Sequence, residues 1–369
     1  MARLVQVATA RMARPLHTPF VTALRRTGHV FSVVVRVTDA DGRTGFGEAP
    51  QIWRVTGESQ ASIEACVRGP LADLLLGSDP MLAPAADVHR DLAGAVVANG
   101  GARAATEIAV QDLLARAAGV PLARFLGGRA GAVGTDVTVA AQGAAWDPAG
   151  PAASTFDQVK IKVGLDPSDV DRVIEIHRTA TRPVRVDANQ AWDLATATAA
   201  VEAWLAAGVR LEFLEQPLPA WDLAGHAELR KRVPVPIVLD ESVFTIHDLQ
   251  RAIDAGSGDI VNIKLAKCGG LHAGLELASL AAEAGLGLMV GSMMESELGL
   301  SAAAALASTL APDQVHDLDA AWWSIDPVSD AGTPYRDGTF LIDDSPGLSH
   351  AVARVGGAEL TFGEESAPG

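Results

Sequence analysis

The chain reads as an α/β protein: a modified (β/α)8, TIM-like barrel with an α+β capping domain. Three observations carry that reading. From about residue 135 a short apolar or β-branched run is followed by a helical stretch, again and again, at spacings of 23 to 28 residues. Eight such runs occur, the number a closed barrel needs. The first 120 residues follow another order, strands first and helices after, as a separate α+β unit would. A doubly wound open sheet competes, but eight evenly spaced strands with polar ends favour closure.

The elements follow in order. VFSVVVRVTDADGRTGFGEA is a hairpin, with FSVVVRVT and TGFGEA flanking the turn DADG. LADLLLG and ARAATEIAVQDLLARAAG are helices. GGRAG at 127–131 is a linker, since it neither follows a strand nor opens a helix. The barrel strands are TDVTVA (135–140), QVKIKVG (158–164), PVRVDAN (183–189), LEFLEQP (211–217), PIVLDES (236–242), DIVNIKL (259–265), GLMVGS (287–292) and QVHDLD (314–319). Two prolines and two glycines in AQGAAWDPAGPAASTFD leave the first connection short or irregular. The expected division is a capping domain over 1–122, a barrel over 123–340, and a tail over 341–369 that returns to the cap.

The 369 residues give ample material for a buried core. A net charge of −16 argues against nucleic acid and against anionic membrane surfaces, both of which want basic patches. No apolar run reaches 18 residues, and MARLVQVATARMARPL lacks the apolar centre of a secretory signal. Cys66 and Cys268 make neither a disulfide framework nor a multi-cysteine zinc site. A cytoplasmic protein is expected.

Polar residues recur at the strand ends, where barrel enzymes place their chemistry. Lys160 and Lys162 share one face of a strand. A solvated edge strand would explain them, but both faces of a barrel strand are covered, so they line the mouth. Asp187, Glu215 and Asp240 are each the first acid after an apolar run, one βα unit apart. Any one could cap a helix. Three at successive strand ends are better explained by a cation between them, and oxygen-only ligation suits Mg²⁺ over zinc.

Lys264 ends the sixth strand, whereas Lys267 lies beyond it in the AKCGG turn and reads as structural. Lys162 and Lys264, four strands apart, suit two bases facing opposite faces of one planar intermediate. Removing a proton α to a carboxylate leaves an enediolate with two negative charges, which a divalent ion stabilises. The base must be neutral, and Lys160 and the metal would disfavour the ammonium form of Lys162. A lysine on each face then permits inversion. Asp317 and Asp319 share a face; they form either a solvated loop or an acidic clamp for an ammonium group. The nine histidines show no HxH or HExxH spacing, against a zinc hydrolase.

In this order KIK, DANQAW, EQP, DES and NIKLAKCGG resemble the enolase superfamily, muconate-lactonising subgroup. HTPFVTALR, GFGEAP and VTGES extend the resemblance to the cap, and GSMMES to strand seven. Within the superfamily, the DLD pair and TALR look like the dipeptide epimerases, especially the L-Ala-D/L-Glu epimerases. The resemblance implies that Lys162 and Lys264 are the acid/base catalysts. It implies that Asp187, Glu215 and Asp240 bind one Mg²⁺ per subunit, which holds the dipeptide carboxylate, and that Asp317 and Asp319 bind its ammonium. Thr138, Lys160, Ser292 and Met294 match substrate-contacting positions. Arg25 matches an arginine that pairs with a glutamate side chain, with Arg26 beside it as the rival. A homo-oligomer is also expected.

Trp53 and Arg54, with Trp322 and Trp323, are bulkier or more polar than the Ala-Glu enzymes lead one to expect, which leaves side-chain specificity open. An N-acylamino-acid racemase, an o-succinylbenzoate synthase or a muconate cycloisomerase would use the same lysines and metal, on substrates with no free ammonium. A metal-dependent dipeptidase is opposed by the lack of histidine ligands. A non-catalytic binding protein is opposed by the complete acid/base and metal set.

Overall fold

The computed structural model describes residues 3–82, 85–142, 146–180, 182–324, 333–354 and 360–366. Three strands open the chain, β1 (Leu4–Val21), β2 (Arg26–Asp39) and β3 (Thr44–Pro50), paired antiparallel in a meander. The long apolar run of β2 is buried on both faces. Val33, Val35 and Val37 join the core of the cap, while Val30 and Val34 join the core of the barrel. A continuous rather than alternating pattern follows from that. The helix Gly100–Ala118 lies across β3 so closely that a Cβ on Gly45 or Gly47 would stand 2.1 Å from the carbonyl oxygen of Ala109 or Ala105.

The barrel strands are β4 (Gly131–Thr135), β5 (Val137–Val139), β6 (Val159–Lys162), β7 (Val184–Asp187), β8 (Leu211–Glu215), β9 (Ile237–Leu239), β10 (Ile260–Lys264), β11 (Gly287–Gly291) and β12 (Val315–His316). After them come β13 (Tyr335–Arg336), β14 (Thr339–Ile342) and β15 (Gly363–Ser366). Strands β5 to β11 form a continuous seven-stranded parallel sheet in chain order. The expected first strand, 135–140, is divided at Asp136. Its first part, with the residues before it, pairs with β12 and β14; its second part pairs with β6.

The eighth unit is likewise irregular. β12 has two residues and meets β11 through a single bridge between Gly291 and Asp317. The Asp136 N–H donating to the His316 carbonyl at 3.0 Å helps to close the ring. A 3-10 turn, Ala320–Ser324, stands where a helix would follow. The first connection carries only the helical stretch Pro151–Thr155, as its proline and glycine content requires, and residues 143–145 of that connection lie outside the described ones.

The C-terminal region divides its pairing: β14 runs antiparallel to β4, and β15 adds to β1 of the cap. Residues 355–359 and 367–369 of the tail lie outside the described ones. Cap and barrel are also joined by Glu48 of β3, whose carboxylate accepts from the backbone N–H groups of Ser296 and Gly299 at 3.0 Å each and from the Ser296 hydroxyl. It thus sits at the N-terminus of the helix Glu297–Leu310, where a negative charge is favoured. Among the described residues no helix is long and apolar enough to cross a membrane.

Candidate active site

Parallel register lines up the strand ends. Lys162 stands opposite Asp187 across β6 and β7, and Asp187 opposite Glu215 across β7 and β8. None of the three expected acids caps a helix. The helices that follow β7, β8 and β9 are capped by Asp193, Asp222 and Thr245. Asp187, Glu215 and Asp240 are free for other work and are at most 2% exposed.

Lysines face them. Lys162 Nζ is paired with Asp187 Oδ2. Lys160 Nζ is paired with Asp317 Oδ2 and lies 3.4 Å from Glu215 Oε2. Lys264 Nζ is 2.8 Å from Asp240 Oδ2 and 3.9 Å from Asp317 Oδ2. Burial disfavours the ammonium of Lys264, but the Asp240, Asp317 and Glu215 carboxylates outweigh it and hold the pKa above the usual range. For Lys160 the carboxylates, Asp317 foremost, outweigh burial in the same way. In this state both are ammonium ions, not the neutral form a base requires. Lys267 donates to the carbonyl oxygens of Asp240, Val243 and Asn262. It also pairs with Asp240 Oδ1 at 2.7 Å, and thus knits β9 to β10.

Lys160, Lys162 and Lys264 open onto one cavity. Thr138, Asp240, Ser292, Met294, Asp317 and Asp319 also line it, while Asp187 and Glu215 are buried outside the lining and pair with the lining lysines Lys162 and Lys160. The cap supplies Phe20, Thr22, Leu24, Arg25 and Val55. Arg25 reaches the cavity, whereas Arg26 begins β2 and is exposed. No carboxylate among the described residues pairs with Arg25, and burial pushes its pKa down to about 10. Trp53 is 64% exposed and Arg54 is exposed, so neither forms the wall. Trp322 packs edge-on against Phe156.

Asp319 Oδ2 accepts from the Thr138 N–H at 2.6 Å and from the Trp323 indole at 3.1 Å. Burial and then Asp317 push the Asp319 pKa up. Ser292 donates its N–H to the Asp317 carbonyl at 3.0 Å, which sets the turn after β11 against the one after β12.

The donor set suits a hard divalent cation. Asp187, Glu215 and Asp240 are buried and offer only carboxylate oxygens, the ligands such an ion takes. Burial and Asp187 push the Glu215 pKa up, as expected of carboxylates in want of positive charge. Asn189 Oδ1, Glu241 Oε2 and Asn262 Oδ1 are buried without a hydrogen-bond partner among the described residues. As they stand, with lysines drawn onto them, no three acidic, histidine or cysteine side chains among the described residues enclose a metal ion.

Sequence reasoning missed several of these groups. Asn262 lies two residues before Lys264 on the same strand face, the spacing that singled out Lys160 and Lys162, and donates to Glu215 Oε1 at 2.7 Å. Asn189 and Glu241 adjoin expected acids in their motifs, and Asn189 donates to Glu241 Oε1 at 3.2 Å. Phe20 and Val55 lie within the resembling motifs HTPFVTALR and VTGES but received no role, because only the docking of cap on barrel brings them to the cavity.

Comparison with known proteins accounts for this arrangement. Residues 4–127 match the mandelate racemase/muconate lactonizing enzyme N-terminal domain, and residues 138–354 match the enolase C-terminal domain-like family. The chain belongs to the mandelate racemase/muconate lactonizing enzyme family of the enolase superfamily. Among its relatives, the L-Ala-D/L-Glu epimerase of Bacillus subtilis (strain 168) is 35% identical, over 98% of this chain and 99% of that one. An aromatic dipeptide epimerase of Herpetosiphon aurantiacus is 34% identical, over 90% and 94%. A crystal structure of the dipeptide epimerase of Cytophaga hutchinsonii, complexed with Mg and the dipeptide D-Ala-L-Val, superposes with a TM-score of 0.84. It is 27% identical and covers 99% of this chain and 100% of that one. Epimerases named for different dipeptides thus stand at nearly equal distance from this family member.

Proposed function

We propose that this chain is a Mg²⁺-dependent dipeptide epimerase that inverts the α-carbon of the C-terminal residue by two-base 1,1-proton transfer, with L-Ala-D/L-Glu as the favoured substrate pair. The observation that carries the reading is one cavity lined by Lys162 and Lys264, from strands four apart, with an acidic pair at a third position. Two lysines on opposite sides suit removal of a proton from one face and its return to the other, and N-acylated substrates offer the acidic pair no ammonium. The curated relatives and the dipeptide complex support the same reading.

The Lys162 and Lys264 Nζ atoms act in turn, one taking the α-proton as a neutral amine and the other returning a proton to the opposite face. Asp187, Glu215 and Asp240, which now pair with lysines, would hold Mg²⁺, and the ion would supply positive charge to substrate carboxylate oxygens as they become more negative. Lys160 stays an ammonium beside Asp317 and adds positive charge to the floor. Asp317 and Asp319 hold the substrate ammonium, while Thr138, Ser292 and Met294 shape the wall. Arg25, with no carboxylate partner among the described residues, suits an acidic side chain.

The test is proton exchange in D₂O with Mg²⁺, with a library of L,L-dipeptides read by mass spectrometry. A one-unit mass gain in L-Ala-L-Glu and its neighbours is expected. No gain in any dipeptide, alongside gain in an N-acyl amino acid, would overturn the proposal in favour of the racemase.

A further inference from the structure

The acidic pair is tied to the cap by a contact that the chemistry above does not use. In β1 and β2 Pro15 pairs with His29, but the next pair is Phe20 with Thr27. Residues 16–19 therefore bulge out of the sheet opposite Gly28 alone. Prolines at 15 and 19, which cannot donate to a ladder, suit such an excursion. The bulge carries two rings onto Trp323. His17 stacks on the indole with centroids 5.8 Å apart and planes 7° apart, and Phe20 meets it edge-on at 4.9 Å.

The buried indole N–H donates to Asp319 Oδ2 at 3.1 Å, and the Thr138 N–H reaches the same oxygen at 2.6 Å. Two donors on one oxygen fix the plane of the carboxylate. Among the described residues nothing donates to Oδ1, and the side chain borders the cavity.

We infer that Trp323 is a positioning residue: clasped by the 16–20 bulge of the cap, it sets the Asp319 carboxylate so that Oδ1 meets the substrate ammonium. Ammonium recognition then depends on how the cap is seated, although Asp319 belongs to the barrel. The inference rests on the assignment of Asp319 to the ammonium.

Trp323→Phe keeps a ring in place and removes the donor. Its KM for L-Ala-L-Glu is expected to rise about tenfold, the size of a lost hydrogen bond to a charged group, with kcat within twofold of wild type. The inhibition constant of propanoyl-L-Glu, which lacks the ammonium, should stay within twofold, whereas a packing defect would move it along with KM. His17→Ala leaves the donor but removes its stacking partner, and should raise the same KM about threefold. Unchanged KM in both variants, or a parallel rise in the inhibition constant, overturns the inference. Asp319→Asn separates the two assignments. If it raises KM while the Trp323 and His17 variants do not, only the role of Trp323 falls; if it leaves KM unchanged, the ammonium assignment falls first.

Discussion

The strand-end arc of the barrel and the rim supplied by the cap border the same cavity, yet they are built by different rules. Along the arc, from β6 to β10, Lys162, Asp187, Glu215 and Lys264 end their strands and Asp240 directly follows β9, and parallel register holds Lys162 opposite Asp187 and Asp187 opposite Glu215. At the rim, Phe20, Leu24, Arg25 and Val55 come from a bulge, a turn and a loop that reach the cavity only because two cores have docked. The Leu24 and Arg25 N–H groups share the Thr22 hydroxyl at 3.2 and 3.3 Å, so this turn is tied chiefly to itself. A framework of this kind can hold its chemistry constant while the rim is changed, in keeping with relatives of similar identity named for different dipeptides.

Changes in the arc should therefore abolish turnover of every dipeptide. Lys162→Ala and Lys264→Ala are each expected to lower kcat for epimerisation by about 10³-fold or more, in line with the removal of a general acid or base. Deuterium incorporation from D₂O checks this, with magnesium titration confirming that the metal still binds. Turnover of any dipeptide at wild-type rate by both variants would break the two-base assignment. Chelation should be as complete in its effect on activity but mild for the fold, because Asp187, Glu215 and Asp240 each keep a lysine partner. Circular dichroism should show native secondary structure after chelation, and added Mg²⁺ should raise Tm by mass action.

The same contrast decides what could be read in advance. The βα repeat gave away the arc because period and polarity coincide: an acid or lysine that ends an apolar run in a repeating unit has few places to go. Lys162, Asp187, Glu215, Asp240 and Lys264 were legible for that reason. The break at Asp136 was not, since one β-branched run serves two sheets and only the partner strands show where it divides. Nor was the clasp on Trp323. The bulge that makes it depends on how β1 mispairs with β2, and two prolines in a strand do not say where the displaced residues will land. Arg25 came from resemblance and not from pattern, and its choice over Arg26 needed the turn.

The junction of the two regions offers a test through pH. Glu295 follows the wall residues Met293 and Met294 and accepts from the Met293 N–H at 2.8 Å. Burial, and then the Glu48 carboxylate of the cap, push its pKa up to about 7 from an ordinary value of 4.5. The folded chain thus binds this proton more tightly than the unfolded chain does. Its contribution is fully present below the unfolded value and is lost as pH rises to about 7, by about 3 kcal/mol in all. Glu295→Gln keeps the acceptor and removes the titration. The unfolding free energy of wild type minus variant, from urea melts, should fall by that amount between pH 4.5 and pH 8. A flat difference would show that burial and Glu48 together do not raise this group in the folded chain.

Changes at the rim should instead redistribute turnover among dipeptides. Arg25→Met removes the guanidinium and keeps much of the apolar stem, so docking of the cap should survive. With no carboxylate of the chain among the described residues to leave stranded, the cost falls on the ligand alone. For L-Ala-L-Glu, kcat/KM should drop roughly 10- to 30-fold, about 1.5–2 kcal/mol, the range of a charge-assisted hydrogen bond. For a dipeptide with a neutral C-terminal side chain it should hold within about threefold or improve, since the variant no longer carries a half-buried cation that lacks a carboxylate partner among the described residues. Measured side by side, the two ratios separate rim from arc. An equal loss on both would mean that Arg25 serves the arc by holding the cap closed, and the acidic preference would then need another source.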